Sequence, residues 1–378
     1  MEMFRISLEP QAPIREIPAS DTLFGAICWG IRQIYGENKL TDILDNFSEH
    51  ENRFILSSAF PFISKNGQRL HFYPMPILSE PNSDQVLELA KKHEGKFKKG
   101  NKYSLLKVIQ ELKTFKKVEF ISERLFDEII KGKKGFKVLF EDYFTKKKFS
   151  KEGEKFCPEN LGGEIKLINR CLMSSVEYNN FFGKEKRPNF LKSEVIQRNK
   201  IDRFNMSTTG AGELYYTQEV FLTQYVKLYF IIKTEDIDFF IPIFRWLSDT
   251  GIGGDRTSGR GQYKIIYQKE SIDLPTSGNP NAFVILSRYL PKPEEVDFNK
   301  KPLFYELLPY RSKVESSVFK DVDIWKNRVI YFKEGSLFPL SEEREFYGQL
   351  PIIKKFQNRM IRQSGFALPV FARIGGNQ

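Results

Sequence analysis

The 378-residue chain has only three cysteines, Cys28, Cys157 and Cys171. An odd number without C-x-x-C spacing excludes a disulfide framework and a zinc knot. It fits a reducing compartment, so the cytoplasm is the expected location. Histidine is equally scarce: His50, His71 and His93 are the full set, and no two have metal-ligand spacing. No metal and no cofactor are expected. No stretch approaches about 18 uninterrupted apolar residues, so no membrane span and no membrane partner are expected. The opening MEMFRISLEP lacks a basic segment followed by an apolar run, so no signal peptide is expected.

What the chain does have is the profile of a soluble globular protein, 40% apolar and 28% charged. Its length allows two or three domains. The net charge is +11, and residues 91–155 hold 20 Lys and Arg against 10 Asp and Glu, so this segment carries +10 of it. Such a segment can hold polyanions, chiefly nucleic acid. The plainer reading is a solvated, lysine-biased insertion.

Phe4, Ile6 and Leu8 alternate with polar neighbours and read as a strand that Pro10 and Pro13 end. Leu23, Ile27, Ile31 and Ile34 recur at helical spacing, with Ser20 as N-cap and Gly36 as stop. Asn66-Gly67, between apolar runs, is a hairpin turn. Residues 80–175 read as an insertion with helical pieces near 84–93 and 104–131. Residues 213–233 read as two strands and 236–250 as a buried helix, with Pro242 tolerable only near its first turn. Residues 262–268 read as a strand. With insertions set aside, the order is β-α-β-β(-β-β)-α-β, a ferredoxin-like unit with extra hairpins over 1–270. The Pro/Gly/Ser-rich link ESIDLPTSGNPN is the expected boundary. Four strands are expected in a smaller unit over 282–378: AFVILSRYL, LFYELLPYR, NRVIYFKEGSLF and FALPVFARI.

Between the helix and the strand lies GIGGDRTSGRG, 251–261. A phosphate-binding P-loop needs Lys-Ser/Thr after its glycines, and a dinucleotide fingerprint needs strand before and helix after. Both fail here. What remains is close backbone approach: bare N–H groups form an anion-binding concavity, and Arg256 and Arg260 match phosphate oxygens. Thr257 and Ser258 add hydroxyl donors. The bland alternative is a mobile glycine loop with solvated arginines.

The order helix, G-x-G-G-D-R-x-x-G-x-G, strand resembles the glycine loop of the RAMP superfamily of CRISPR proteins. Other stretches resemble one branch, the fourth-subunit branch of type III-A CRISPR Csm effector complexes. These are Ser20-Asp21-Thr22-Leu23-Phe24-Gly25-Ala26, Phe72-Tyr73-Pro74-Met75-Pro76, Arg198-Asn199-Lys200-Ile201-Asp202-Arg203 with Gly212-Glu213-Leu214-Tyr215, and Gly365-Phe366-Ala367-Leu368-Pro369-Val370. The resemblance implies an α+β fold of two ferredoxin-like (RRM-like) RAMP domains, the first with large insertions. It implies a non-catalytic subunit that grips the 5′ handle of the guide RNA (crRNA). Its other partners would be the large polymerase-like CRISPR subunit and the first backbone RAMP subunit. The candidate RNA-binding set is Gly251, Gly253, Gly254, Arg256, Thr257, Ser258, Gly259, Arg260 and Gly261, with Arg198, Asn199, Arg203, Ser20 and Tyr73. Phe72, Tyr73 and Phe204 are candidate platforms for unpaired bases. For each, core packing is the alternative.

Related RAMP proteins include metal-independent endoribonucleases that process guide precursors. His71 is the one histidine placed to act as a base, against the simpler reading of a strand histidine. Asp249 and Asp255 flank the loop, the former expected in the last helical turn. Asp202 is the expected partner of Arg198 or Arg203. No nucleophile–base arrangement emerges, so a binding role is the expectation. An endoribonuclease and an RNA-binding or scaffold protein outside CRISPR systems are the alternatives.

Overall fold

Strand β1 (Glu2–Pro10) opens the computed structural model, which describes residues 1–92, 101–145, 164–183, 189–199, 201, 206, 208, 214–254, 256–314, 324–356 and 359–375. Helices α1 (Ser20–Tyr35) and α2 (Glu37–Asp45) follow, then β2 (Phe54–Leu56), β3 (Phe60–Lys65) and β4 (Gln68–Pro74). Gly36 ends α1 as expected, at φ +93°. Asn66 and Gly67 take φ +54° and +77°, the paired left-handed turn that the Asn-Gly dipeptide favours.

The insertion contributes α3 (Ser83–Lys92), α4 (Asn101–Phe115), β5 (Phe120–Ser122), α5 (Glu123–Ile130), α6 (Phe136–Thr145), β6 (Ile165–Ile168), β7 (Cys171–Ser174) and α7 (Ser175–Phe182). The helix expected over 104–131 is therefore two helices broken by a strand. Pairing decides this: Phe120, Ile121 and Ser122 lie against Pro74, Tyr73 and Phe72 of β4. Many of the insertion's described cations have local partners. Lys92 pairs with Glu141, Lys116 with Glu80, Lys131 with Asp127 and Lys134 with Asp142.

Next come β8 (Leu191–Arg198), β9 (Tyr215–Leu222), β10 (Val226–Thr234), α8 (Ile241–Thr250) and β11 (Tyr263–Tyr267). Pro242 sits in the first turn of α8, where no hydrogen bond is lost. The main sheet runs β11-β1-β10-β3-β4-β5-β7-β6, with β2 also on β10. Its first four strands are the fourth, first, third and second of a ferredoxin-like unit, and α1 and α8 pack on one face. Each apolar side chain that α1 buries there, Leu23, Phe24, Ile27 and Ile31, contributes roughly 1.5–3 kcal/mol.

The C-terminal part contains β12 (Ala282–Ile285), β13 (Leu307–Tyr310), β14 (Val329–Phe332), β15 (Leu337–Pro339), β16 (Ile352–Phe356), β17 (Arg359–Arg362) and β18 (Pro369–Ala372). The β16–β17 hairpin was not among the expected strands, and NRVIYFKEGSLF yields two strands. A three-stranded sheet β15-β12-β18 is joined by two-stranded ribbons, with no α-helix among the described residues. Its helical cover comes from the insertion: α5 lies over β18, where Arg373 N–H donates to Ile130 O (2.8 Å). One core runs from Phe4 through Tyr229 to Val284, Leu368 and Ile374. Cys28 and Cys171 are free thiols, while Cys157 lies outside the described residues. No helix among the described residues is long and apolar enough to cross a membrane.

Candidate nucleic-acid interface

The glycine loop has a neck and a lip. At the neck, Gly251 N–H closes α8 on Leu247 O (2.8 Å), and buried Ile252 donates to Gly261 O (2.9 Å). Gly261 holds φ +64°, and a Cβ there would collide with Ile252 O. A Cβ on Gly251 would come within 2.8 Å of Gly261 O. At the lip, Gly253, Gly254 and Gly259 are exposed, and a Cβ on any of them would meet nothing within 4 Å. Neck glycines hold the backbone together; lip glycines leave room for something outside it. Gly261→Val should therefore lower stability by at least about 1–3 kcal/mol through backbone strain. Gly254→Val should leave the thermal midpoint nearly unchanged and impair RNA binding. Thermal melts and RNA titrations of both variants check this, and a large stability loss in Gly254→Val with RNA binding intact would sink the division.

Arg256–Ser258 form one 3-10 turn, and Gly259 N–H closes it on Arg256 O (3.0 Å). Thr257 belongs to this turn. Arg260 donates Nη1 to Ser258 O (2.6 Å) and Nε to Glu219 Oε1 (2.9 Å), with Nη2 on the same oxygen. Arg198, at the end of β8, also reaches Glu219 Oε1 (2.6 Å) through Nη2, and Nε donates to Thr217 Oγ1 (3.2 Å). Two sequence-distant arginines thus meet on one carboxylate whose side chain is 3% exposed. Glu219 was missed from sequence. Its signal is a charged residue in an otherwise aromatic and β-branched strand, on the same face as Thr217. Beside this junction Gln197, Arg198, Asn199, Ile201, Leu214 and Tyr215 line an open groove of about 510 Å³. Asp202, Arg203, Phe204 and Asp255 lie outside the described residues. Among the described residues Arg198 pairs with Glu219, and the partnership expected of Asp202 with Arg198 or Arg203 lies outside them. Asp249 is exposed in the last turn of α8, as expected.

Other candidates are core. Ser20 is buried, and its hydroxyl accepts Arg288 N–H (3.0 Å). It does not cap α1, whose N-cap is Ala19, because the hydroxyl is turned to the backbone of Arg288 in the C-terminal part. Phe72 and Tyr73 are fully buried, so neither is a platform. Tyr73 stacks on Phe126 (4.6 Å between centroids), and its hydroxyl accepts from Arg5 Nη2 (3.0 Å). β4 is an interior strand covered by α5 and carries no free face at these positions. On β9, Tyr215 and Tyr216 are exposed, 47% and 66% accessible, and Tyr215 lines the groove.

His71 stacks on Phe62 (5.3 Å) and lines a 230 Å³ pocket with Arg5, Arg69 and Ser7. Burial first, then the charges of Arg5 and Arg69, push its pKa down to about 3. The imidazole is neutral at physiological pH but a feeble proton acceptor. His50 is held by Asp42 (3.2 Å), and His93 lies outside the described residues.

A protein-family model for the RAMP superfamily matches residues 16–264. A curated protein of Thermococcus onnurineus (strain NA1), "CRISPR system Cms protein Csm4", is 24% identical over 306 residues, covering 80% of this chain and 78% of that protein. Two similar solved structures share the fold. One is a Csm3-Csm4 subcomplex of a type III-A CRISPR-Cas interference complex (TM-score 0.54, 18% identity, 96% of this chain and 99% of that one). The other is a Csm1-Csm4 cassette in complex with pppApA (TM-score 0.53, 15% identity, 100% of both chains).

Proposed function

The chain belongs to the RAMP superfamily, and on that premise we propose that it is a non-catalytic guide-RNA-binding subunit of a type III-A CRISPR Csm effector complex. In this reading it grips the 5′ handle of the crRNA and contacts the large polymerase-like subunit and the first backbone RAMP subunit. The naming of the Thermococcus relative, and of the Csm1-Csm4 and Csm3-Csm4 structures, supports the choice of complex and partners.

The observation that carries the RNA role is the meeting of Arg198 and Arg260 on buried Glu219, beside a glycine lip with open space in front of it. Glu219 consumes one oxygen's worth of hydrogen bonding and fixes both guanidinium planes. Arg256, on the 3-10 turn, adds a third cation. Exposed Tyr215 and Tyr216 offer faces for unpaired bases. Lip amides, fixed arginines and tyrosines together suit a single-stranded sugar-phosphate backbone. The endoribonuclease reading needs a competent base, and His71 is a poor one.

Arg256→Ala with Arg260→Ala should weaken guide-RNA binding by roughly 2–4 kcal/mol, since Arg198 still neutralises Glu219 and the fold survives. The slope of log Kd against log salt should become shallower by about 2. Titration of a labelled guide RNA at several salt concentrations tests this, and an unchanged Kd and slope would remove the loop from the interface. The same RNA, incubated with and without Mg²⁺, should remain intact.

A further inference from the structure

The near-neutral balance outside residues 91–155 hides a local extreme. Segments 307–314, 324–333 and 352–362 contain nine Lys and Arg and no Asp or Glu. The fold brings them together. β13 pairs with β14 from Leu307↔Phe332 to Tyr310↔Val329, and past that ladder Lys313 bridges to Trp325. The Arg311 guanidinium lies 5.4 Å from the Trp325 ring centroid and Lys313 Nζ 4.9 Å. Arg311 Nε donates to Lys326 O (3.0 Å), which fixes the arm over the ring. Lys354 of the β16–β17 hairpin donates Nζ to Trp325 O (2.7 Å), so that hairpin docks at the same place.

Part of this charge is already compensated. Lys333 pairs with Glu306 (2.9 Å), Arg362 with Asp45, and Lys326 is turned inward to Gln363 Oε1 (2.9 Å). Arg311, Lys313, Arg328 and Lys355 remain exposed, and Arg311 and Lys313 lie against an indole that is 41% accessible. An isolated surface cation–π contact would account for one cation near Trp325. It does not account for cations arriving from both strands of the β13–β14 ribbon and from a separate hairpin. Protein interfaces are enriched in tryptophan and arginine but depleted of lysine, so it is Lys313, Lys354 and Lys355 that favour a polyanion. A ridge of cations around a large aromatic face is what a single strand uses, phosphates on the cations and a base on the ring. A duplex keeps its base faces stacked and cannot use the indole.

We propose that the ridge of Trp325, Arg311, Lys313, Arg328, Lys354 and Lys355 binds single-stranded nucleic acid, as a surface additional to the glycine loop. One base stacks on Trp325, and Arg311 and Lys313 hold the flanking phosphates. The chemistry is common to RNA and DNA, so both are probes.

The test uses the full chain and labelled ten-nucleotide oligouridylate or oligothymidylate, which carry no handle sequence, read by fluorescence anisotropy. Trp325→Ala should weaken binding about tenfold with the salt slope unchanged, because stacking carries no counterion term. Trp325→Phe should recover most of that loss. Arg311→Gln with Lys313→Gln should flatten the salt slope by about 2. All three effects should persist in the Arg256→Ala, Arg260→Ala background, which separates this surface from the loop. A response with one oligonucleotide only identifies the preferred nucleic acid and supports the site. Wild-type affinity for both probes in Trp325→Ala and in the Arg311, Lys313 pair would overturn it, as would effects that vanish in the loop-variant background.

Discussion

Asp21→Ala should lower the stability of the chain by about 3–5 kcal/mol, among the largest losses any single substitution here should produce. Asp21 lies at the first turn of α1, its side chain 2% exposed. Arg288 Nη1 donates to Oδ1 (2.9 Å) and Gln363 Nε2 to Oδ2 (3.0 Å). Gln363 in turn accepts from Lys326 (2.9 Å), so a chain of polar groups ties α1 to the C-terminal strands. Burial alone would lower the Arg288 pKa, but Asp21 and then Glu334 more than reverse this, and the guanidinium is held above its ordinary value. Removing the carboxylate strands Arg288 with only Glu334, 4.0 Å away, as counter-charge. Arginine cannot shed its proton, so the cost persists at every accessible pH.

Lys326 responds differently. Burial holds its pKa below the ordinary value, and Asp21 opposes that depression. Without Asp21 the depression deepens. A lysine with a lowered folded pKa binds fewer protons folded than unfolded, so stability rises with pH between the two values. The deficit of Asp21→Ala should therefore shrink as pH rises from neutral toward the ordinary lysine value of about 10.4. Urea unfolding at several pH values reads both effects. Ser20→Ala should cost about 1 kcal/mol, the hydroxyl's bond to Arg288 N–H, and leave RNA affinity unchanged. A stability loss under 1 kcal/mol for Asp21→Ala, or a loss of RNA affinity in Ser20→Ala, would return this motif to the binding face.

Local chemistry was legible where one dihedral or one missing donor decides the structure. Gly36 and Gly251 end helices, Asn66-Gly67 turns a hairpin and Pro242 starts α8. The strand within 104–131 was not legible, because Phe120-Ile121-Ser122 has no helix breaker before it and owes its conformation to β4. Tertiary pairing overrode local preference there. The β16–β17 hairpin was missed for a related reason: Lys354 and Lys355 interrupt its apolar alternation, and its two strands pair only with each other.

At the site, residue types were legible and partners were not. Glycines with arginines indicated an anion-binding loop, but which glycines serve the neck depends on Ile252 meeting Gly261 across the loop. Phe72 and Tyr73 looked suited to stacking because a strand sequence does not say how deep in a sheet it lies. Only the order β10-β3-β4-β5 buries them. Glu219 joins Arg198, 21 positions earlier in the chain, to Arg260, 41 positions later, and no spacing rule reaches that far.

Glu219→Gln should weaken guide-RNA binding about tenfold or more even though it adds a positive charge, because two fixed guanidinium groups lose their anchor. Gln keeps an acceptor oxygen but not the charge, and it cannot hold both Arg198 and Arg260. Each charge-assisted contact to phosphate is worth about 1.5–3 kcal/mol when positioned. The added net charge gains little, since exposed charges beyond about 8 Å are screened at physiological salt. Positioning therefore outweighs bulk attraction. Stability should fall as well, by about 3 kcal/mol, because the guanidinium side chains are only 28% and 12% exposed and lose a partner that is 3% exposed. Glu219→Asp, with the charge kept on a shorter arm, should lie between wild type and Gln in both measurements. Binding is measured well below the melting temperature at low and high salt, with unfolding followed separately. Tighter binding by Glu219→Gln at low salt would mean that the field of the protein, and not the set of the arginines, governs RNA affinity at this site.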